Sequence, residues 1–184
     1  MKFCVPVIAA VGIALLAGPA VAQPSTAPQT GLPQVVTNPL NVVPEKMPFS
    51  TPLGSPIILP NAEKLIAAAE AEAKKRGWAF NIAVVDPNGD LVAFKRMDGA
   101  QIASIAIARH KARAAARYRR PTKVFEDAIQ KANFHYIATL DGVIASRGGI
   151  PLIENGKIIG AIGCSGGTGS QDEVVCKAGA ATVK

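Results

Sequence analysis

The chain sets an imidazole and two guanidiniums on one side of a helical stretch. His110, Arg113 and Arg117 follow at i, i+3 and i+7, and at about 100° per residue they fall within about a 60° arc. A guanidinium grips a carboxylate through two parallel N–H bonds. Neighbouring cations favour the neutral form of His110, and a neutral imidazole can ligate a metal. Together the three suit a ligand bearing carboxylates and an iron, such as haem. A blander reading fits the same residues: a solvated cationic face, or a contact between subunits.

A second stretch, Ile159 to Val175, invites a different chemistry. Its glycine cluster precedes a helical pattern, a layout that often cradles phosphate. The detail argues against it. A Walker loop needs Lys and then Ser or Thr after its last glycine, whereas Gly169 is followed by Ser170 and Gln171. The dinucleotide fingerprint needs a third glycine, and Asp172 stands in its place. Ser170-x-x-Glu173 reads as a capping box, with Asp172 and Glu173 complementing the helix dipole. A phosphate would compete with those carboxylates, so the glycines read as turn-formers.

Other chemistries find no pattern. No H-x-x-H, H-E-x-x-H or C-x-x-C spacing marks a zinc site. Ser165 lies in G-C-S-G rather than a nucleophile elbow. His135, between Phe134 and Tyr136, reads as a partly packed residue. The formal charge is +7, and the acid-free interval between Asp98 and Glu126 carries seven of the 20 basic residues. That concentrates the positive charge in one region. Nucleic acid is not the expected partner, because Trp78, Tyr118 and Tyr136 are too scattered to form a stacking platform.

These residues need elements to hold them. A helix is expected from a cap at Asn61 to about Arg76, with Leu65, Ile66, Ala69 and Ala73 inward and Gly77 as its stop. Phe80–Val85 and Asp90–Arg96 alternate as strands about the turn Asp86-Pro87-Asn88-Gly89. A long helix follows from Ala100 to about Arg117, its small residues Ala108, Ala112 and Ala115 suited to close approach. A shorter helix spans Thr122–Ala132. Ile150–Glu154 and Lys157–Gly163 make a second hairpin, and Gln171–Ala181 closes as a helix. Antiparallel hairpins with flanking helices predict an α+β sheet domain.

The N-terminus reads as a signal peptide over 1–22, with Lys2, an apolar run Val5–Ala17 too short to span a bilayer, and cleavage after Ala22. No later segment is apolar enough to span a membrane. The expected product is periplasmic or secreted. Residues 23–60 hold nine of the fourteen prolines, which predicts an extended arm, either a spacer or a strap around a neighbouring subunit. The folded domain is expected over 61–184. Export puts Cys164 and Cys176 in an oxidising compartment, where they form either a disulfide or two small buried residues.

Three blocks resemble one family. NIAVVDPNGDLVAFKRMDGA, then IAxxKAxxAAxYRRPT around Lys111, then GGIPLIENGKIIGAIGCSGGTGSQDEVVCKAG are similar to the GlcG/HbpS-like, or haem-degrading domain, family. The resemblance spans about Asn61 to Val183. It implies a profilin-like domain with a five-stranded antiparallel sheet, and a homo-oligomer. It also implies small-molecule binding: some exported relatives bind haem or another tetrapyrrole and serve redox sensing, while others sit beside glycolate metabolism. Met97, Asp98, Gly99, Gly148, Gly149, Pro151, Ser165, Gly166, Asp172 and Glu173 match its pattern. The ligand set is therefore His110 (also the metal ligand), Arg113 and Arg117, joined by Met97, Asp98, Gly148, Gly149 and Ser165. The chain departs from the family at Asp90, where relatives often carry His, and at Cys164 and Cys176, where they often carry Val and Ala; that paired departure favours a bridge. No catalytic set accompanies the family's name, so the expected function is an exported, non-enzymatic binder of haem or a similar molecule. The alternative is an enzyme or binder for a small hydroxy acid such as glycolate, using the arginines and Asp98.

Overall fold

A computed structural model describes residues 42–183; the expected signal peptide, 1–22, and residues 23–41 of the expected arm lie outside the described residues. The unit from Pro44 onward is built on four strands: β1 (Asn81–Val85), β2 (Leu91–Arg96), β3 (Gly149–Glu154) and β4 (Lys157–Ser165). They form one antiparallel sheet in the order β2-β1-β4-β3. The expected fifth strand is not among the described residues. The nearest approach to one is a single parallel bridge, Leu53 to Ile158.

Helices cover both faces of the sheet. α1 (Leu59–Lys75) and α4 (Gly169–Ala180) pack on one face with Ile82, Val84, Ile162 and Cys164. α2 (Ala103–Arg117) packs on the other with Ala83, Val85 and Ala161. The central strand β1 is therefore buried at all five positions, and its period-two pattern separates two cores rather than a core from solvent. α3 (Lys123–Ala132) and a 3-10 turn (His135–Thr139) lead from α2 towards β3.

α2 comes unusually close to the sheet, and the sequence provides for it on both sides. Ala108, Ala112 and Ala115 are fully buried. Opposite them, a Cβ at Gly163 would lie 2.1 Å from the Ala108 carbonyl oxygen, and one at Gly149 would lie 2.3 Å from that of Lys111. Only hydrogen fits between helix backbone and strand backbone here.

Several boundaries differ from the sequence reading, α2 beginning at Ala103 rather than Ala100 among them, and two helix starts have a clear physical reason. α1 begins at Leu59 rather than at an Asn61 cap, with Pro60 in its first turn and no side-chain cap; a proline there forfeits an N–H that has no intrahelical partner anyway. α4 begins at Gly169, and its capping box is Thr168 with Gln171 rather than Ser170 with Glu173. The box needs Ser or Thr at the N-cap and Glu or Gln at N3, and the chain contains that pattern in two overlapping registers.

The end of the proline-rich arm joins the domain. The Ile158 N–H donates to the Pro52 carbonyl, the Gly54 N–H to Ile158 and the Ile57 N–H to Ile159, each at 2.8 Å. Ile57 is buried in the α1/α4 core. Arg120 stacks 3.4 Å over the Phe49 ring. A disulfide joins Cys164 on β4 to Cys176 on α4, with Cα atoms 5.5 Å apart, and ties that helix to the sheet it covers.

Candidate functional site

The outer side of α2 forms one wall of an open cleft of about 390 Å³. Arg109, His110, Arg113 and Arg117 line it from the helix, and Asp141 and Gly142 line it from the loop after the 3-10 turn. The grouping follows from the helix repeat: the alanines that meet the sheet leave the intervening cations facing outward.

Backbone carbonyls position these side chains. The Arg117 Nε–H donates to the Asn88 carbonyl at 2.7 Å, and the Arg113 Nε–H to that of Gly89 at 3.3 Å. His110 Nε2 lies 3.1 Å from the Gly142 carbonyl oxygen. A carbonyl only accepts, so Nε2 is the donor, and in the neutral ring the lone pair resides on Nδ1. That is the arrangement in which a ligating histidine is held by a partner on its other nitrogen. The Tyr118 hydroxyl donates to the Asp141 carbonyl at 2.5 Å and holds the loop against the helix end.

The basic run divides among several environments. Arg109, Arg113 and Arg117 reach the cleft. Arg120 is held on aromatic rings, and Lys123 pairs with Asp127 one turn along α3. Lys111 turns inward. It is 1% exposed, with Nζ donating to Asp172 Oδ2 at 2.5 Å and to the Arg147 carbonyl at 2.8 Å. It therefore adds nothing to the outer field. Asp172 is likewise not spent on a helix cap. Its Oδ1 accepts the N–H groups of Gly166 and Gly167, each at 3.1 Å. The glycine-loop amides that resembled a phosphate cradle are satisfied by this chain's own carboxylate.

Of the expected ligand set, the structure brings together His110, Arg113 and Arg117. Met97 and Asp98 lie elsewhere, in a groove with Glu70, Lys74 and Lys95, and Met97 packs against the α1/α4 core. Gly148 and Gly149 serve packing: a Cβ at Gly148 would meet the Asp172 side chain at 2.7 Å. The Ser165 hydroxyl donates to that of Ser104 at 3.1 Å, and both residues are buried. Arg109 was visible within the basic run. Asp141 and Gly142 had no sequence signal, because only the tertiary path of their loop brings them to α2.

Glu126 forms a second anchor, accepting from the Arg147 backbone N–H and side chain at 2.8 Å. Burial raises its pKa, but the Arg147 hydrogen bonds and charge outweigh that and hold it below the ordinary glutamate range. Among the described residues no cluster of three or more His, Cys, Asp or Glu side chains could hold a metal ion, and no helix is long and apolar enough to cross a membrane.

A four-stranded antiparallel sheet between two layers of helices, with an open cationic cleft on the outer side of one of them, defines an α+β domain. The chain belongs to the family described as haem degrading protein HbpS-like, whose profile matches residues 57–181. Protein GlcG of Escherichia coli K12 is 41% identical over 104 residues, covering 56% of this chain and 77% of GlcG. A crystal structure of an HbpS double mutant from Streptomyces reticuli superposes with a TM-score of 0.66 at 30% identity, covering 78% of this chain and 97% of that one. A structure described as a PduOC:heme complex shares the fold, with a TM-score of 0.64 at 24% identity over 70% of this chain and 96% of that one.

Proposed function

We propose that this chain is an exported, non-enzymatic binder of a carboxylate-bearing small molecule, with haem as the first candidate. The observation that carries the reading is the convergence of three guanidiniums and one oriented imidazole on a single cleft. Bidentate arginine–carboxylate pairs are among the stronger polar contacts a protein makes. The family description and the haem complex of a structural relative favour haem among carboxylate ligands.

The residues fit the polar parts of that group. Arg113 and Arg117 would take its carboxylates. His110, with Nε2 held by Gly142, would offer Nδ1 to the iron. The flat ring would rest on the alkyl stems of the arginines and on Ala106, since long basic side chains cover apolar surface well. Haem iron, when bound, would supply redox chemistry beside the imidazole. The chain itself contributes binding and orientation. A homo-oligomer fits the same reading, because a second copy would add a wall to a cleft that is open on one side.

Titration of the exported form with hemin should shift the Soret band, and His110→Ala should weaken the shift. A wild-type response no larger than that of an unrelated basic protein would remove haem. Retention of Arg109, Arg113 and Arg117 on one cleft also supports a small hydroxy acid as ligand. In that case glycolate would raise the melting temperature and hemin would not.

A further inference from the structure

We infer that the β1–β2 turn sets the ligand class of the cleft, selecting molecules with two carboxylates over those with one. The inference rests on the carboxylate-binding reading above and extends it to a positioning element and a specificity.

A guanidinium has five N–H donors and can take a carboxylate in two ways: through Nε and one Nη, or end-on through both Nη groups. In Arg113 and Arg117 the first way is closed. Both Nε–H groups are committed to backbone, one to the Gly89 carbonyl and the other to the Asn88 carbonyl. Each guanidinium is left with its Nη edge, and among the described residues no hydrogen bond engages that edge. Side chains at i and i+4 sit about 6 Å apart on a helix surface. Two adjacent carbonyls of one tight turn thus hold two end-on forks side by side. A single carboxylate fills one fork. A ligand with two carboxylates fills both and pays the cost of immobilisation once.

The turn is built for this contact. Gly89 has φ +89°, and a Cβ there would lie 2.8 Å from Arg113 Cγ and 3.2 Å from Arg117 Nε. The Asp86 side chain fixes the turn from inside, accepting the N–H groups of Asn88 at 2.8 Å and Asp90 at 2.9 Å. Any side chain at position 89 must displace both arginines without removing a charge from the cleft.

The test is calorimetric titration of the full exported chain at low salt with glycolate, malonate, succinate and glutarate. The wild type should bind the best-fitting dicarboxylate at least about tenfold tighter than glycolate, a preference of about 1.4 kcal/mol. Gly89→Ala, which displaces both arginines, should bring that ratio close to one by weakening dicarboxylate binding much more than glycolate binding, with the far-UV spectrum retained. Equal affinities in the wild type, with both ligands lost on Arg117→Ala, would overturn the inference and leave the cleft reading standing. No binding by any of these acids or by hemin would overturn both. Should Gly89→Ala fail to fold, arginine side-chain NMR on the wild type decides. The Nε–H protons of Arg113 and Arg117 should exchange more slowly than that of Arg109 and stay in place on adding succinate. Exchange as fast as that of Arg109 would sink the idea.

Discussion

The two sides of α2 carry the same kind of residue to opposite ends. Lys111 and Arg113 are two positions apart, yet Lys111 is sealed against Asp172 and Arg113 lines an open cleft. The inner cation has its counter-charge inside the chain and joins α2 to the start of α4. Two of the outer cations, Arg113 and Arg117, are held by carbonyls, which orient them without neutralising them. A positive charge in a sequence is therefore not yet a binding site. What decides is whether the fold supplies the matching anion.

The sharpest way to break this contrast is to remove the inner anion. Asp172→Asn should destabilise the domain by about 3–5 kcal/mol, because it leaves a buried ammonium without its partner; thermal or denaturant unfolding would read this. Opening the disulfide, by reductant or by Cys164→Ala with Cys176→Ala, should cost about 2–4 kcal/mol. Alkylation without reductant, followed by mass spectrometry, should find neither Cys164 nor Cys176 labelled. Glu126→Gln should cost about 1.5–3 kcal/mol at neutral pH, as a charge-assisted hydrogen bond does. Its sign follows from the lowered pKa of Glu126. The stabilisation is present above the ordinary glutamate range and is lost as pH falls through it towards the folded value. The variant should therefore show a flatter acid limb than the wild type. The smallest stability effect belongs to the outer side: Arg113→Ala with Arg117→Ala should change stability by roughly 0.5 kcal/mol or less while abolishing the ligand response.

Much of the fold was legible in the residues. Both hairpins, all four helices and the alanine face of α2 follow from period, turn residues and size. The arginine–histidine grouping was equally legible, because a helix repeat is local. What escaped was tertiary. Nothing adjacent to Lys111 says that it points inward, since its partner Asp172 lies 61 residues away. Asp141 and Gly142 reach the cleft by a loop without periodicity. Met97, Asp98 and Ser165 share motifs with relatives, but their surroundings are a groove on another part of the sheet and a buried hydroxyl pair. A motif keeps residues for packing as readily as for ligands.

Pro52, Gly54 and Ile57 occupy the flank of β4 beyond the end of β1. A chain shortened to begin at α1 would strip that flank of its covering and leave bare amides beside exposed aliphatic side chains. Such a rim is an invitation to intermolecular strand addition. A trimmed domain should therefore precipitate or form fibrils under conditions in which the longer chain stays dispersed.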